Sequence, residues 1–149
     1  GVEMAGAAKN AASLAAAAAE PHGLNAAGIA AAEVWRECVD YATMRGGQLE
    51  TFSGIAGIGD LTATVLAPGS RNRRAGELLG SGVPASQIPE RIGQASEGLD
   101  SVPQIAAAVD GAGVDAGGLL GLAALIEGEV TAVEWVAGLR RAERARSAA

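Results

Sequence analysis

Apolar and polar positions divide the chain into helix-length blocks separated by glycine, proline and short polar turns. From Met4 to Ala19 nearly every side chain is apolar and most are alanine, until Glu20-Pro21-His22 ends the run. This block predicts a first helix. Ala26 to Arg45 predicts a second, longer one: Ile29, Val34, Cys38 and Tyr41 or Ala42 recur near helical spacing, and Gly46-Gly47 stop it. Short helices are expected in "LETFSGIAG" and over Leu61 to Leu66, with the glycine-rich corner "GIAGIGD" between them. Ser70 is placed to cap "RNRRAGELLG", and Pro84 to Ile92 reads as another short helix. Ser101-Val102-Pro103-Gln104 has the form of a capping box opening a helix to about Val109. "GGLLGLAALIEG" is an apolar helix. Thr131 and Glu134 form a second capping box, opening a last helix that runs into "RRAERARSAA". Strand-like alternation is missing over any useful length, so the expected class is all-α, with roughly seven or eight helices.

Composition refines this picture. Hydrophobic residues make up 49% but aromatics only 3%, so the core should be thin, with close helix contacts filled by Leu, Ile and Val. A chain of 149 residues fits one domain with a real core. A net charge of −6 argues against general nucleic-acid binding, which needs a basic footprint. It does not exclude a local phosphate site. One cysteine, Cys38, provides neither a disulfide framework nor a Cys-rich metal site and fits a reducing, cytoplasmic setting. No signal-peptide pattern is visible, and the apolar run Ala11 to Ala19 is too short for a membrane span of about 20 residues. The chain starts at Gly1 and reads as a piece of a longer one.

Candidate chemistry centres on three stretches. Lys9 is the only lysine, all other basic residues being arginine. Its alanine neighbours imply a helix buried on more than one face. A lysine so desolvated lowers its pKa unless a carboxylate compensates, which makes it a proton donor or a cation for a developing oxyanion. Next, Asp60 follows a run of glycines, and Thr64 shares its helical face. Ser70-Arg71-Asn72 stands at a helix start, where free N–H groups and the dipole favour an anion and Arg71 adds a forked donor. On its own this is equally a helix cap with solvated arginines. Third, Gln94 and Glu97 lie between glycines, either as a plain polar loop or as hydrogen-bonding partners of a cofactor. His22 reads as a loop histidine, Cys38 as core filler, Trp35, Tyr41 and Trp135 as packing, and Arg140, Arg141, Arg144 and Arg146 as a solvated helix end. "GAGVDAGG" falls short of a dinucleotide fingerprint: Ala116 stands where the third glycine belongs, and no strand precedes it. No metal site is expected.

Taken in order, "GVEMAGAAKN", "GIAGIGDLTATVLAPGSRNRRAGELLGSG" and "IGQASEG" resemble the C-terminal half of NAD(P)-dependent glycerol-3-phosphate dehydrogenases. The resemblance covers about Gly1 to Ala108 and fades after Gly111. It implies a multi-helix domain of the 6-phosphogluconate dehydrogenase C-terminal-like type spanning 1–149, which binds substrate and carries catalysis, with the N-terminal Rossmann domain outside this chain. It implies interconversion of dihydroxyacetone phosphate and sn-glycerol 3-phosphate with NAD or NADP, a homodimer, and a link to glycerophospholipid synthesis. By the same resemblance Lys9 is the general acid/base. Asn10, Asp60 and Thr64 are its polar surroundings, Ser70, Arg71 and Asn72 form the substrate-phosphate site, and Arg71, Gln94, Ala95 and Glu97 lie at the cofactor. Without the Rossmann half the chain is expected to be inactive alone. "GVDAGGLLGLAALIEG" departs from the family in lacking a proline and an aromatic. Two other readings stand beside this one: a non-catalytic helical module for dimerisation or phosphometabolite binding, and a related hydroxyacid dehydrogenase sharing the lysine–asparagine pair.

Overall fold

Helix α1 (Val2–Ala19) is the axis around which most of the other helices pack. The structure, a computed structural model describing residues 1–149, is all-α with nine helices and no strand. From Ala11 to Ala19 every α1 residue is buried. Alanine makes this possible, because a helix with bulk only at Leu14 can be approached closely from nearly all sides. α2 (Leu24–Met44) and α5 (Arg71–Gly80) cover it most extensively. α5 approaches through Gly76 and Gly80, one turn apart. A Cβ at Gly76 would stand 2.5 Å from the Leu14 carbonyl oxygen and 2.7 Å from Ala17 Cβ, and one at Gly80 would run into the Ala18 backbone. Only glycine permits that approach.

A 3-10 turn at Glu20–His22, opened by Pro21, ends α1. Arg73 of α5 then locks the junction: it donates to Glu20 at 2.9 and 3.2 Å, to the Val65 carbonyl at 2.9 Å, and pairs with Glu77 at 3.0 Å. After α2 come α3 (Leu49–Ser53), a π-helical turn over Ile55–Gly59, and α4 (Asp60–Leu66). The glycine-rich corner expected from the sequence is this π turn, in which the Gly59 N–H donates to the Gly54 carbonyl. Beyond α5 lie a 3-10 turn (Ala85–Gln87), α6 (Ile88–Ile92), α7 (Glu97–Gly111), α8 (Gly117–Ile126) and α9 (Ala132–Ser147).

Two expectations need correction. α7 starts at Glu97, so Ser101 and Gln104 form no cap: Gln104 Nε2 donates to the Asp100 carbonyl, and Pro103 sits inside the helix. The buried stripe of α7 is Leu99, Val102, Ala106 and Val109, and its first member lies before the proposed box. Burying Leu99 and anchoring the preceding loop extend the helix forward, overriding the local capping signal. The C-terminal arginines are not uniformly solvated either. Arg146 pairs with buried Glu33 at 2.5 Å, and Arg140 donates to the His22 carbonyl at 3.0 Å. The Thr131–Glu134 capping box forms with both hydrogen bonds.

The junction of α2, α8 and α9 holds a polar group within the core. The Glu37 side chain is fully buried and accepts from the N–H groups of Gly118 at 2.7 Å and Leu119 at 2.8 Å, capping α8 from a different helix. Desolvation pushes its carboxyl up to about 7, although the two N–H donors pull the other way. Burial, with the Glu37 charge adding to it, pushes the neighbouring Cys38 thiol up to about 12, so this cysteine is inert core filler. Trp35 meets Phe52 edge to face, and Trp135 Nε1 donates to the Gly118 carbonyl, so both tryptophans serve packing. No helix is long and apolar enough to cross a membrane.

Candidate functional site

The first half of α1, before full enclosure begins, presents Lys9. Its ammonium donates to Asp60 Oδ2 at 2.8 Å. The Lys9 side chain is 23% exposed and that of Asp60 52%, so the lysine is less enclosed than its alanine flanks suggest. Alanine buries the helix, while a long side chain reaches out past it. Asp60 is the first residue of α4 and is delivered by the π turn. One turn on, the Thr64 hydroxyl donates back to the Asp60 carbonyl at 2.8 Å, so the two share a face as their spacing predicts.

Ser70 caps α5, its Oγ accepting from the Arg73 N–H at 3.4 Å. The N–H groups of Arg71 and Asn72 precede the first intrahelical bond and lack acceptors within the helix. Arg71 is exposed, whereas Asn72 is buried. Asn72 Oδ1 accepts from Ser96 Oγ at 2.9 Å and from the Gly98 N–H at 3.0 Å. The start of α7 is thereby tied to the start of α5. At the same α7 start Asn10 Nδ2 donates to Glu97 Oε2 at 3.2 Å, linking back to α1 next to Lys9.

Lys9, Asn10, Thr64, Ser70, Arg71, Asn72 and Gln94 line one open cleft of about 480 Å³. Two cationic side chains and a helix start face it, so it suits an anion although the chain as a whole is acidic. Asp60 belongs to the site through its ion pair with Lys9. Glu97 stands on the other side of Asn10, lining a smaller cavity with Lys9, Asn10 and Ser101. Ala95 does not reach the cleft; it lines a separate cavity with Ser86, Pro89 and Leu99. Among the residues named for the cofactor, Arg71 and Gln94 are the two that offer donors to the cleft itself.

Three residues that matter to the structure around and beneath the cleft escape sequence reasoning. Ser96 is a small polar residue in a loop, Arg73 is one arginine in a run of basic residues, and Glu37 is a glutamate on a long helix. Each acts through a distant partner. Only Glu37 leaves a trace, since Glu33 and Glu37 fall one turn apart beside the apolar positions Ala30, Val34 and Cys38 of α2.

The family model for the NAD-dependent glycerol-3-phosphate dehydrogenase C-terminus matches residues 1–137. A glycerol-3-phosphate dehydrogenase [NAD(P)+] of Polaromonas naphthalenivorans is 33% identical over 145 residues, covering 96% of this chain and 41% of that protein. One from Leifsonia xyli is 43% identical over 79 residues, covering 53% of this chain and 21% of the relative. The crystal structure of glycerol-3-phosphate dehydrogenase from Coxiella burnetii superposes with a TM-score of 0.79 at 29% identity, over 93% of this chain and 43% of that one. The chain therefore spans less than half the length of these relatives.

Proposed function

This chain belongs to the family of NAD-dependent glycerol-3-phosphate dehydrogenase C-termini, and from that premise we propose that it is the substrate-binding and catalytic domain of an enzyme interconverting dihydroxyacetone phosphate and sn-glycerol 3-phosphate. One observation carries the reading: an ammonium held 2.8 Å from a carboxylate shares a cleft with the open start of α5. That pairs a proton donor with a phosphate cradle, as reduction of a phosphorylated ketone requires.

In this reading the phosphate sits at the N–H groups that open α5, with the Ser70 hydroxyl and the Arg71 guanidinium adding donors. Anchoring the phosphate brings the substrate carbonyl beside Lys9. Lys9 gives its proton to the carbon-2 oxygen as negative charge develops there, and recovers it in the reverse reaction. Asp60 orients the ammonium, while Asn10 and Thr64 supply the polar lining. An arginine could not replace Lys9, because a guanidinium does not release its proton near neutrality. A bound nicotinamide, NAD or NADP, supplies or accepts the hydride. Arg71 and Gln94 fit one edge of such a cofactor. Ala95 and Glu97 continue the loop from Gln94 and would meet such a cofactor outside the cleft itself. The rest of its grip falls to an N-terminal Rossmann domain in the longer protein. That protein works as a homodimer, feeds glycerophospholipid synthesis and is cytoplasmic, a setting that suits a single unbridged cysteine.

The test is an assay of the complete protein that carries this chain, following oxidation of NADH or NADPH with dihydroxyacetone phosphate. Activity is expected in the wild type, with a loss of about 100-fold or more in Lys9→Ala at unchanged thermal stability. Near-normal turnover by Lys9→Ala would overturn the role given to the lysine.

A further inference from the structure

We propose that Ser96 is a positioning residue: with the Gly98 N–H it holds the Asn72 carboxamide so that its NH₂ group faces the cleft, at the place where the family resemblance already puts the substrate's phosphate. This rests on the reading of the cleft as a phosphate-monoester site.

Asn72 is the second residue of α5, buried to 8% exposure, and lines the cleft. Its amide has two possible orientations, and its neighbours choose between them. The Gly98 backbone N–H can only donate, so the atom facing it at 3.0 Å must be the amide oxygen. The flipped amide would set N–H against N–H. Ser96 Oγ adds a second donor to the same oxygen at 2.9 Å, and at 1% exposure its hydroxyl has no water to turn to. With Oδ1 doubly occupied, Asn72 has only Nδ2 left to offer. That nitrogen bonds nothing inside the protein, yet it is not among the buried polar atoms lacking a partner, so it opens to the cleft. There it joins the Ser70 hydroxyl and the Arg71 guanidinium around the start of α5, making a set of donors suited to phosphate oxygens.

The loop bearing Ser96 therefore acts at both ends of the cleft. Ser96 holds the phosphate-side amide, and Glu97 next to it holds Asn10 beside Lys9. Removing the Ser96 hydroxyl leaves the carboxamide on the Gly98 hydrogen bond alone, which still sets the way the amide faces but holds it less firmly. Replacing Asn72 by the isosteric Asp keeps an acceptor for both Ser96 and Gly98 but turns an oxygen toward the phosphate.

Two readouts in the complete protein test this. In steady-state assays Ser96→Ala should raise KM for dihydroxyacetone phosphate about 3- to 10-fold with kcat nearly unchanged. Unphosphorylated dihydroxyacetone should be used as well as by the wild type. Ser96→Thr, which keeps the hydroxyl, should restore KM. In NMR titrations with inorganic phosphate, Ser96→Ala should bind more weakly, and Asn72→Asp should lose about 100-fold in affinity at unchanged thermal stability. If the wild type binds phosphate but turns over no dihydroxyacetone phosphate, the enzymatic reading fails while this assignment stands. Equal losses by Ser96→Ala on both substrates, phosphate binding by Asn72→Asp at wild-type strength, or no phosphate binding by the wild type would each overturn it.

Discussion

Lys9 and Asp60, 51 positions apart in the chain, meet at 2.8 Å because α1 carries the cation while the π turn ahead of α4 delivers the carboxylate. Both side chains are partly open to solvent, so the pair contributes under about 1 kcal/mol to stability. Its importance is geometric. Asp60→Asn should leave the unfolding free energy within about 1 kcal/mol of wild type, while a misplaced ammonium lowers kcat by about 100-fold. Paired unfolding curves and steady-state assays check this. A loss of stability as large as the loss of rate would make Asp60 a framework residue.

Glu37 predicts a pH dependence remote from the cleft. Burial raises its carboxyl from the ordinary 4.5 to about 7, so between those values the folded state holds a proton that the unfolded state has released. Its contribution to stability is then fully present below about pH 4.5, declines as pH rises, and levels off above about pH 7. Arg36, whose guanidinium is 3.7 Å from Glu37, and Glu33 face the same group. Glu37→Gln removes the titration. The stability of wild type relative to Glu37→Gln, from urea unfolding at a series of pH values, should fall from pH 5 to pH 7.5. A constant difference would refute the assignment.

The α5–α1 contact predicts opposite signs for the same substitution at two glycines. Alanine favours a helix interior by about 1 kcal/mol over glycine. At Gly28 of α2, where nothing stands within 4 Å of an added Cβ, Gly28→Ala should stabilise by most of that amount. At Gly80 the added Cβ meets the Ala18 backbone, which cannot move without displacing α1. Overpacking of about 1–3 kcal/mol outweighs the propensity gain, so Gly80→Ala should lower the melting temperature. A rise at both positions would mean that α1 and α5 separate at little cost.

These contacts also mark what could be read from the residues alone. The Ser70 cap, the Thr131–Glu134 box and the shared face of Asp60 and Thr64 were legible because each lies within one helical turn. The convergence of Lys9, Asp60 and the start of α5 came from family resemblance, since no local rule joins positions that far apart. The start of α7 was misplaced because Ser101 and Gln104 imitate a cap, while the true boundary answers to burial of Leu99 and to bonds from Asn72. Glu37 is legible only as a glutamate beside the apolar face of α2; its acceptor role depends on backbone groups 81 residues away, which no local pattern announces.

The alanine core of α1 also sets how the cleft can adapt. Alanine has no rotamers, so the buried half of α1, apart from Ser13 and Leu14, brings no side-chain freedom of its own to take up or release when a ligand arrives. α1 serves as a stationary spindle. Any fitting to substrate must come from the groups that retain solvent exposure at its rim, chiefly Asp60, Arg71 and Gln94. Lysine position is thus held through a binding cycle by a helix whose own buried side chains are almost all too small to rearrange.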